Sequence, residues 1–181
     1  WHGRNGRRDA SIADFDRAIA LYSAALKLES RADTLVNRGV SHEGKDDKQA
    51  ALRDYSEALH LQPDQVEARV ARGHLRFQLG DLPGALEDAL EAIRTRPDLM
   101  LPHYTRGLVA FWHARRHEQA GRREEADREF DVALAAFSEA KSFWSGKRPP
   151  EVVVALPASA PEGQDLRFEP KVPSDPIHMV E

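Results

Sequence analysis

Small and apolar residues sort onto helical faces along most of this chain. Ala18, Tyr22 and Ala25 recur three and four positions apart, and Tyr104, Leu108, Phe111 and Trp112 fall at i, i+4, i+7 and i+8 on one face. Charged residues fill the positions between them. The pattern predicts helices near 102–119 and 123–144, and a helix through Asp14, Phe15 and Tyr22 to Ala25. It stops at Ser145-Gly146. Seven of the eleven prolines follow, from Pro149 to Pro176, and proline this dense favours extended or disordered chain. One apolar run interrupts that tail, with Val152, Val153, Val154 and Leu156. Its β-branched residues suit an extended segment lying in a groove, so the tail reads either as a flexible linker or as a segment docked on the helices of its own chain.

A second, longer period overlies the helical one. Gly39, Gly73 and Gly107 are evenly spaced, 34 apart, as are Pro63 and Pro97, Ala51 and Ala85, and Ala58 and Ala92. Each glycine follows an arginine: Arg38, Arg72 and Arg106. Proline ends a helix, and small residues let two helices approach closely. Asp64 and Asp98 are placed to cap the helices that follow the prolines.

This spacing resembles the tetratricopeptide repeat family. Residues 32–65 carry the match at Leu35, Gly39, Ala51, Tyr55, Ala58 and Pro63; residues 66–99 carry it at Gly73, Ala85, Ala92 and Pro97. Ala89 stands where the family has an aromatic, and arginine replaces the usual large apolar residue before each glycine. The resemblance implies an all-α fold, a right-handed superhelical solenoid of antiparallel helix pairs. An array is expected over 1–145, and the change of composition at Ser145-Gly146 marks a proline-rich tail over 146–181.

The end units are irregular. Residues 1–31 read as a partial repeat, because Ala18, Tyr22 and Ala25 align with Ala51, Tyr55 and Ala58 while little lies upstream. With Trp1 at the start, the N-terminus reads as cut from a longer chain. In the last unit, 100–144, Ala126, Phe130 and Ala133 arrive late, and the expectation is a 7-residue extension of nearly two helical turns.

Composition narrows the chemistry. The 181 residues contain no cysteine, which excludes disulfides, thiol catalysis and cysteine-ligated metals. A net charge of -4, from 26 basic and 30 acidic residues, gives no argument for nucleic acid or an anionic membrane. No cofactor is expected. No phosphate-binding glycine loop or nucleophile elbow is present. The cysteine-free composition and the absence of a visible signal peptide favour the cytoplasm.

The resemblance places partner-binding positions on the first helix of each unit, lining a concave groove. These are Asp33, Val36, Asn37, Val40 and Glu43, then Glu67, Val70, Ala71, His74, Phe77 and Gln78, then Leu101, Tyr104, Thr105, Leu108, Phe111 and Trp112. The carboxylate clamp of chaperone-binding members needs Lys and Arg where Glu67 and Ala71 stand, so that specialisation is not expected although Asn37 fits it. The aromatic stripe of Tyr104, Leu108, Phe111 and Trp112 is the best candidate site, with burial in the hairpin core as the competing reading.

Two further groups carry charge. Asp54 lies 16 after Arg38, Asp88 lies 16 after Arg72, and Glu129 lies 23 after Arg106, so one arginine–carboxylate pair is expected per unit. His113 and His117 have the spacing to hold a metal, but a third ligand is lacking and Arg115, Arg116, Arg122 and Arg123 oppose a cation. That basic cluster suits an acidic partner or phosphate, or is a solvated face. The reading is a non-enzymatic scaffold or adaptor that binds a peptide or helix. The alternatives are a docking segment of a larger enzyme, and an array that self-associates through its first unit or its Phe143-Trp144 end.

Overall fold

The computed structural model describes residues 2–144, with side chains from residue 12 onward. The tail positions Val152, Val153, Val154 and Leu156 lie outside the described residues. Among the described residues seven helices follow one another: α1 (His2–Leu28), α2 (Ala32–Gly44), α3 (Lys48–Leu61), α4 (Val66–Gln78), α5 (Leu82–Thr95), α6 (Met100–Gln119) and α7 (Arg123–Ser142). There is no strand among them. The helices pair as hairpins α2/α3, α4/α5 and α6/α7; α1 packs on α2, α3 on α4 and α5 on α6. The fold is an all-α helical repeat.

Its core is a row of helix interfaces. Ala51, Tyr55, Ala58, Ala68, Leu75, Ala85 and Ala92 are buried, and the apolar clusters of this core sit between successive helices. Alanine dominates these contacts because it lets backbones come close with little side-chain entropy to lose.

The turns repeat as closely as the helices. The residue in the left-handed region is Asp46 (φ 63°), then Gly80 (φ 87°), then Gly121 (φ 73°). In the first two hairpins the next residue is an aspartate that caps the second helix. Asp47 accepts from the amide of Ala50 at 3.1 Å, and Asp81 from that of Gly84 at 3.0 Å. In the third hairpin Arg122 occupies that position and provides no side-chain cap.

Proline follows α3 and α5 as expected, at Pro63 and Pro97. The expected caps at Asp64 and Asp98 do not form. α4 and α6 start from Gln65 and Leu99 without a side-chain cap, and the Asp98 carboxylate takes the Arg96 guanidinium at 2.9 and 3.1 Å instead.

The last hairpin corrects the expected register. α6 and α7 are each 20 residues long, against 13 for α4 and 14 for α5. A Cβ on Gly39 would lie 2.6 Å from the ring of Tyr55, and a Cβ on Gly107 would lie 2.6 Å from the ring of Phe137. The step from glycine to ring is thus 16 in the first hairpin and 30 in the last, a difference of 14 rather than 7. A hairpin lengthened at its turn grows in both arms, so each arm gains about two turns. Ala133, Phe137 and Ala140 therefore take the places of Ala85, Ala89 and Ala92, and Phe130 meets Phe111 nearer the tip, with ring centroids 5.8 Å apart.

At the other end, α1 is one unbroken helix of 27 residues, and the helix expected through 14–25 is its second half. No proline interrupts it. The Phe15 ring lies over Gly44, Leu26 packs on the Ala32–Leu35–Ala58 cluster, and Ser23 accepts from Arg38 at 3.2 Å.

Candidate interaction surface

Within each hairpin, the face between the two helices is closed by charge as well as by alanine. Arg38 donates to Asp54 through Nε at 2.8 Å and Nη2 at 2.6 Å. Arg72 grips Asp88 in the same two-pronged way, at 2.9 and 2.7 Å, and Arg76 adds a third bond to Asp88 at 2.9 Å. Bidentate pairs of this kind fix geometry as well as charge. The side chain of Asp88 is 1% exposed.

The third pair is not Arg106 with Glu129. Arg106 donates through Nη2 to Glu139 at 2.9 Å, and its Nε is buried without a hydrogen-bond partner. The lengthened hairpin explains this. The position equivalent to Asp54 and Asp88 is Ala136, fully buried, so Arg106 reaches about one turn further along α7. Glu139 also meets Nδ1 of the buried His103 at 2.8 Å, while Nε2 of His103 faces the Pro97 carbonyl at 2.9 Å. Arg106 and Glu139 are repeat positions, with Arg38 and Arg72 and with Glu57 and Glu91 as counterparts, but His103 stands where the earlier hairpins have Leu35 and Arg69, so residue spacing carries no signal for its part in this group.

The first helices α2, α4 and α6 carry the expected groove residues, and their accessibility is graded. Asp33, Asn37, Val40 and Glu67 are among the more accessible; Val36, Val70, Ala71 and His74 are half-buried. Asp33 accepts from the Gln65 side-chain amide at 2.6 Å, which ties α2 to the start of α4. Nδ1 of His74 lies 3.5 Å from the Thr105 hydroxyl, and burial lowers its pKa, which favours a neutral ring. Phe77 and Thr105 are buried and present little surface.

The aromatic stripe divides. Leu108 is 7% exposed and belongs to the core with Phe77, Leu82, Ala85 and Val109. Tyr104 and Trp112 are half-buried against that cluster, and Tyr104 also meets the Phe137 ring at 5.5 Å between centroids. Burial pushes the Tyr104 phenol up. The second arm of the hairpin, lengthened by about two turns, thus covers one side of this stripe and leaves Tyr104, Phe111 and Trp112 partly open.

Beyond Trp112 the two arms continue to the hairpin tip. There His113, Arg116, His117 and Arg122 line a shallow cleft of about 270 Å³. Arg122 Nε donates to His117 Nδ1 at 2.9 Å. Among the described residues, no group of three potential metal ligands comes together.

Helix pairs repeating at a fixed period, with glycine against the partner helix and proline after it, define a known repeat. Residues 36–99 match the family model of the tetratricopeptide repeat. Over those residues the chain carries the tetratricopeptide repeat. A stretch of 55 residues is 40% identical to tetratricopeptide repeat protein 6 of Homo sapiens; it makes up 30% of this chain and spans 11% of that protein's length. Two solved structures of MamA are similar to this chain. One is 19% identical, with a TM-score of 0.47, covering 78% of this chain and 94% of its own; the other is 18% identical, with a TM-score of 0.46, covering 81% and 91%. Tetratricopeptide repeats mediate protein–protein interaction, and at that level the array is an interaction scaffold. No helix among the described residues is long and apolar enough to cross a membrane.

Proposed function

We propose that this tetratricopeptide array is a non-enzymatic adaptor that holds an extended peptide or a helix of a partner protein along α2, α4 and α6. One observation supports this most. The face between the two helices of each pair is occupied by alanines and arginine–carboxylate pairs, while the first helices keep a succession of exposed or half-buried side chains from Asn37 through Glu67 and His74 to Tyr104 and Trp112. Partner affinity comes from the half-buried aromatic end, where a small added contact removes apolar surface from water. Selection comes from the polar end. Asn37 offers a donor and an acceptor, Glu67 rejects acidic partners, and neutral His74 beside Thr105 reads a polar group.

The test uses peptides selected on the immobilised array from a random display library. Their affinities are then measured by calorimetry for the parent, Asn37→Ala, Glu67→Lys and Trp112→Ala. Trp112→Ala weakens binding by about tenfold or more. Asn37 and Glu67 lie outside the core, so their variants fold normally, and each shifts affinity or selected sequence. Unchanged affinity in both of these variants overturns the groove assignment.

A further inference from the structure

The lengthening of the last hairpin builds a feature that the other two hairpins lack. About two extra turns on each arm carry α6 and α7 past the rest of the array. The cleft at their tip is lined by His113, Arg116, His117 and Arg122, and among the described residues no carboxylate lines it. The acids closest in sequence are already engaged. Glu118 is paired with Arg115, and Glu124 with Arg128. Among the described residues, neither Arg116 nor Arg122 has a carboxylate within ion-pair distance. Where the earlier turns place Asp47 and Asp81, this one places Arg122, so the sign of the charge at the turn is reversed.

The donors are also oriented. Arg122 gives its Nε–H to Nδ1 of His117, which makes that nitrogen an acceptor and leaves the proton of a neutral ring on Nε2. The same bond holds the Arg122 guanidinium beside His117 while using only one of its five N–H donors. Two guanidinium forks and two imidazoles around one cleft suit an oxyanion with several oxygens and more than one charge.

We infer that the tip of the α6/α7 hairpin is a binding site for a phosphate dianion. A phosphorylated side chain of a partner and free phosphate offer the same dianion, and the arms of the experiment separate them. None of its four lining residues is a groove candidate, so the inference does not rest on the groove reading.

The test follows the imidazole signals of His113 and His117 by NMR at fixed pH and ionic strength. The probes are inorganic phosphate, a phosphoserine peptide, and the same peptide with serine or glutamate at that position, with chloride as the balancing ion. Both phosphate probes give saturable shifts at the two histidines. A phosphoserine peptide binding more tightly than inorganic phosphate identifies the partner-borne source; equal or weaker binding identifies free phosphate. Arg116→Ala and Arg122→Ala each weaken binding by about tenfold. Arg123→Ala removes the same charge from the same end of the hairpin without lining the cleft, and leaves binding unchanged. The inference is overturned if phosphate gives only the linear response of chloride, if Arg123→Ala weakens binding as much as Arg122→Ala, or if the glutamate peptide binds as tightly as the phosphoserine peptide.

Discussion

Arg72 and Asp88 face each other across the second hairpin, with two guanidinium nitrogens on the two carboxylate oxygens at 2.9 and 2.7 Å. Asp88 also takes Arg76, and its side chain is 1% exposed. Removing the charge leaves guanidinium donors without their acceptor inside the hairpin. Asp88→Asn therefore costs about 2–4 kcal/mol of stability in urea unfolding. The neighbouring Glu87→Gln changes stability by no more than about 0.5 kcal/mol. Equal effects of the two substitutions would remove the structural role of the pair.

The third hairpin lacks this pair because Ala136 stands where Asp54 and Asp88 stand. Arg106 Nε is left buried and unpartnered. Ala136→Asp supplies the missing acceptor. In a double-mutant cycle with Arg106→Ala, the introduced carboxylate and Arg106 couple favourably by about 1 kcal/mol or more. A coupling of zero would place the register elsewhere.

Adjacent aspartates in the first turn have opposite roles. Asp46 sits at φ 63°, where the other hairpins have glycine, and Asp47 caps α3 through the amide of Ala50. Asp46→Gly raises stability by about 0.5 kcal/mol, the relief of left-handed strain exceeding the added entropy of the unfolded chain. Asp47→Ala lowers it by about 1 kcal/mol. Thermal unfolding of the two variants measures both signs.

Glu43 gives a dependence on pH. Burial raises its carboxyl pKa above the usual range, and this outweighs the opposing effect of the Tyr55 hydroxyl, which donates to it. The folded state therefore favours the protonated acid. Its stabilising contribution is complete below the unfolded pKa and is lost as pH rises through the folded one. Relative to the parent, Glu43→Gln gains stability as pH is raised from about 4 to 7. A difference that is flat across this window, or that runs the other way, contradicts the assignment.

The regular part of this fold is legible in the sequence because each repeat marks the same contacts with the same residue types. Gly39, Gly73, Arg38 and Arg72, with their partners 16 further on, announce both the hairpin and its charge pair. In the last hairpin the pattern yields the helix spans but misplaces the register. Ala126, Phe130 and Ala133 mimic the expected pattern at one arm's length from Ala133, Phe137 and Ala140, and alanine periodicity alone does not separate the two. The glycine-to-ring contact does. The groove candidates are legible as positions but not as exposures. Leu108 and Thr105 lie on the expected helix and are buried, because the lengthened α7 and the neighbouring α4 supply contacts that spacing along one helix does not reveal. The His103–Glu139 bond leaves no trace in the pattern, because His103 stands where the earlier hairpins have Leu35 and Arg69.

The most direct measurement is chemical-shift mapping of the ¹⁵N-labelled chain with a saturating, display-selected peptide. Perturbed amides are expected to cluster on α2, α4 and α6, around Asn37, Glu67, His74 and Trp112, with α3 and α5 silent. Perturbations confined to α3, α5 and α7, with the first helices unchanged, would overturn the groove as the binding surface.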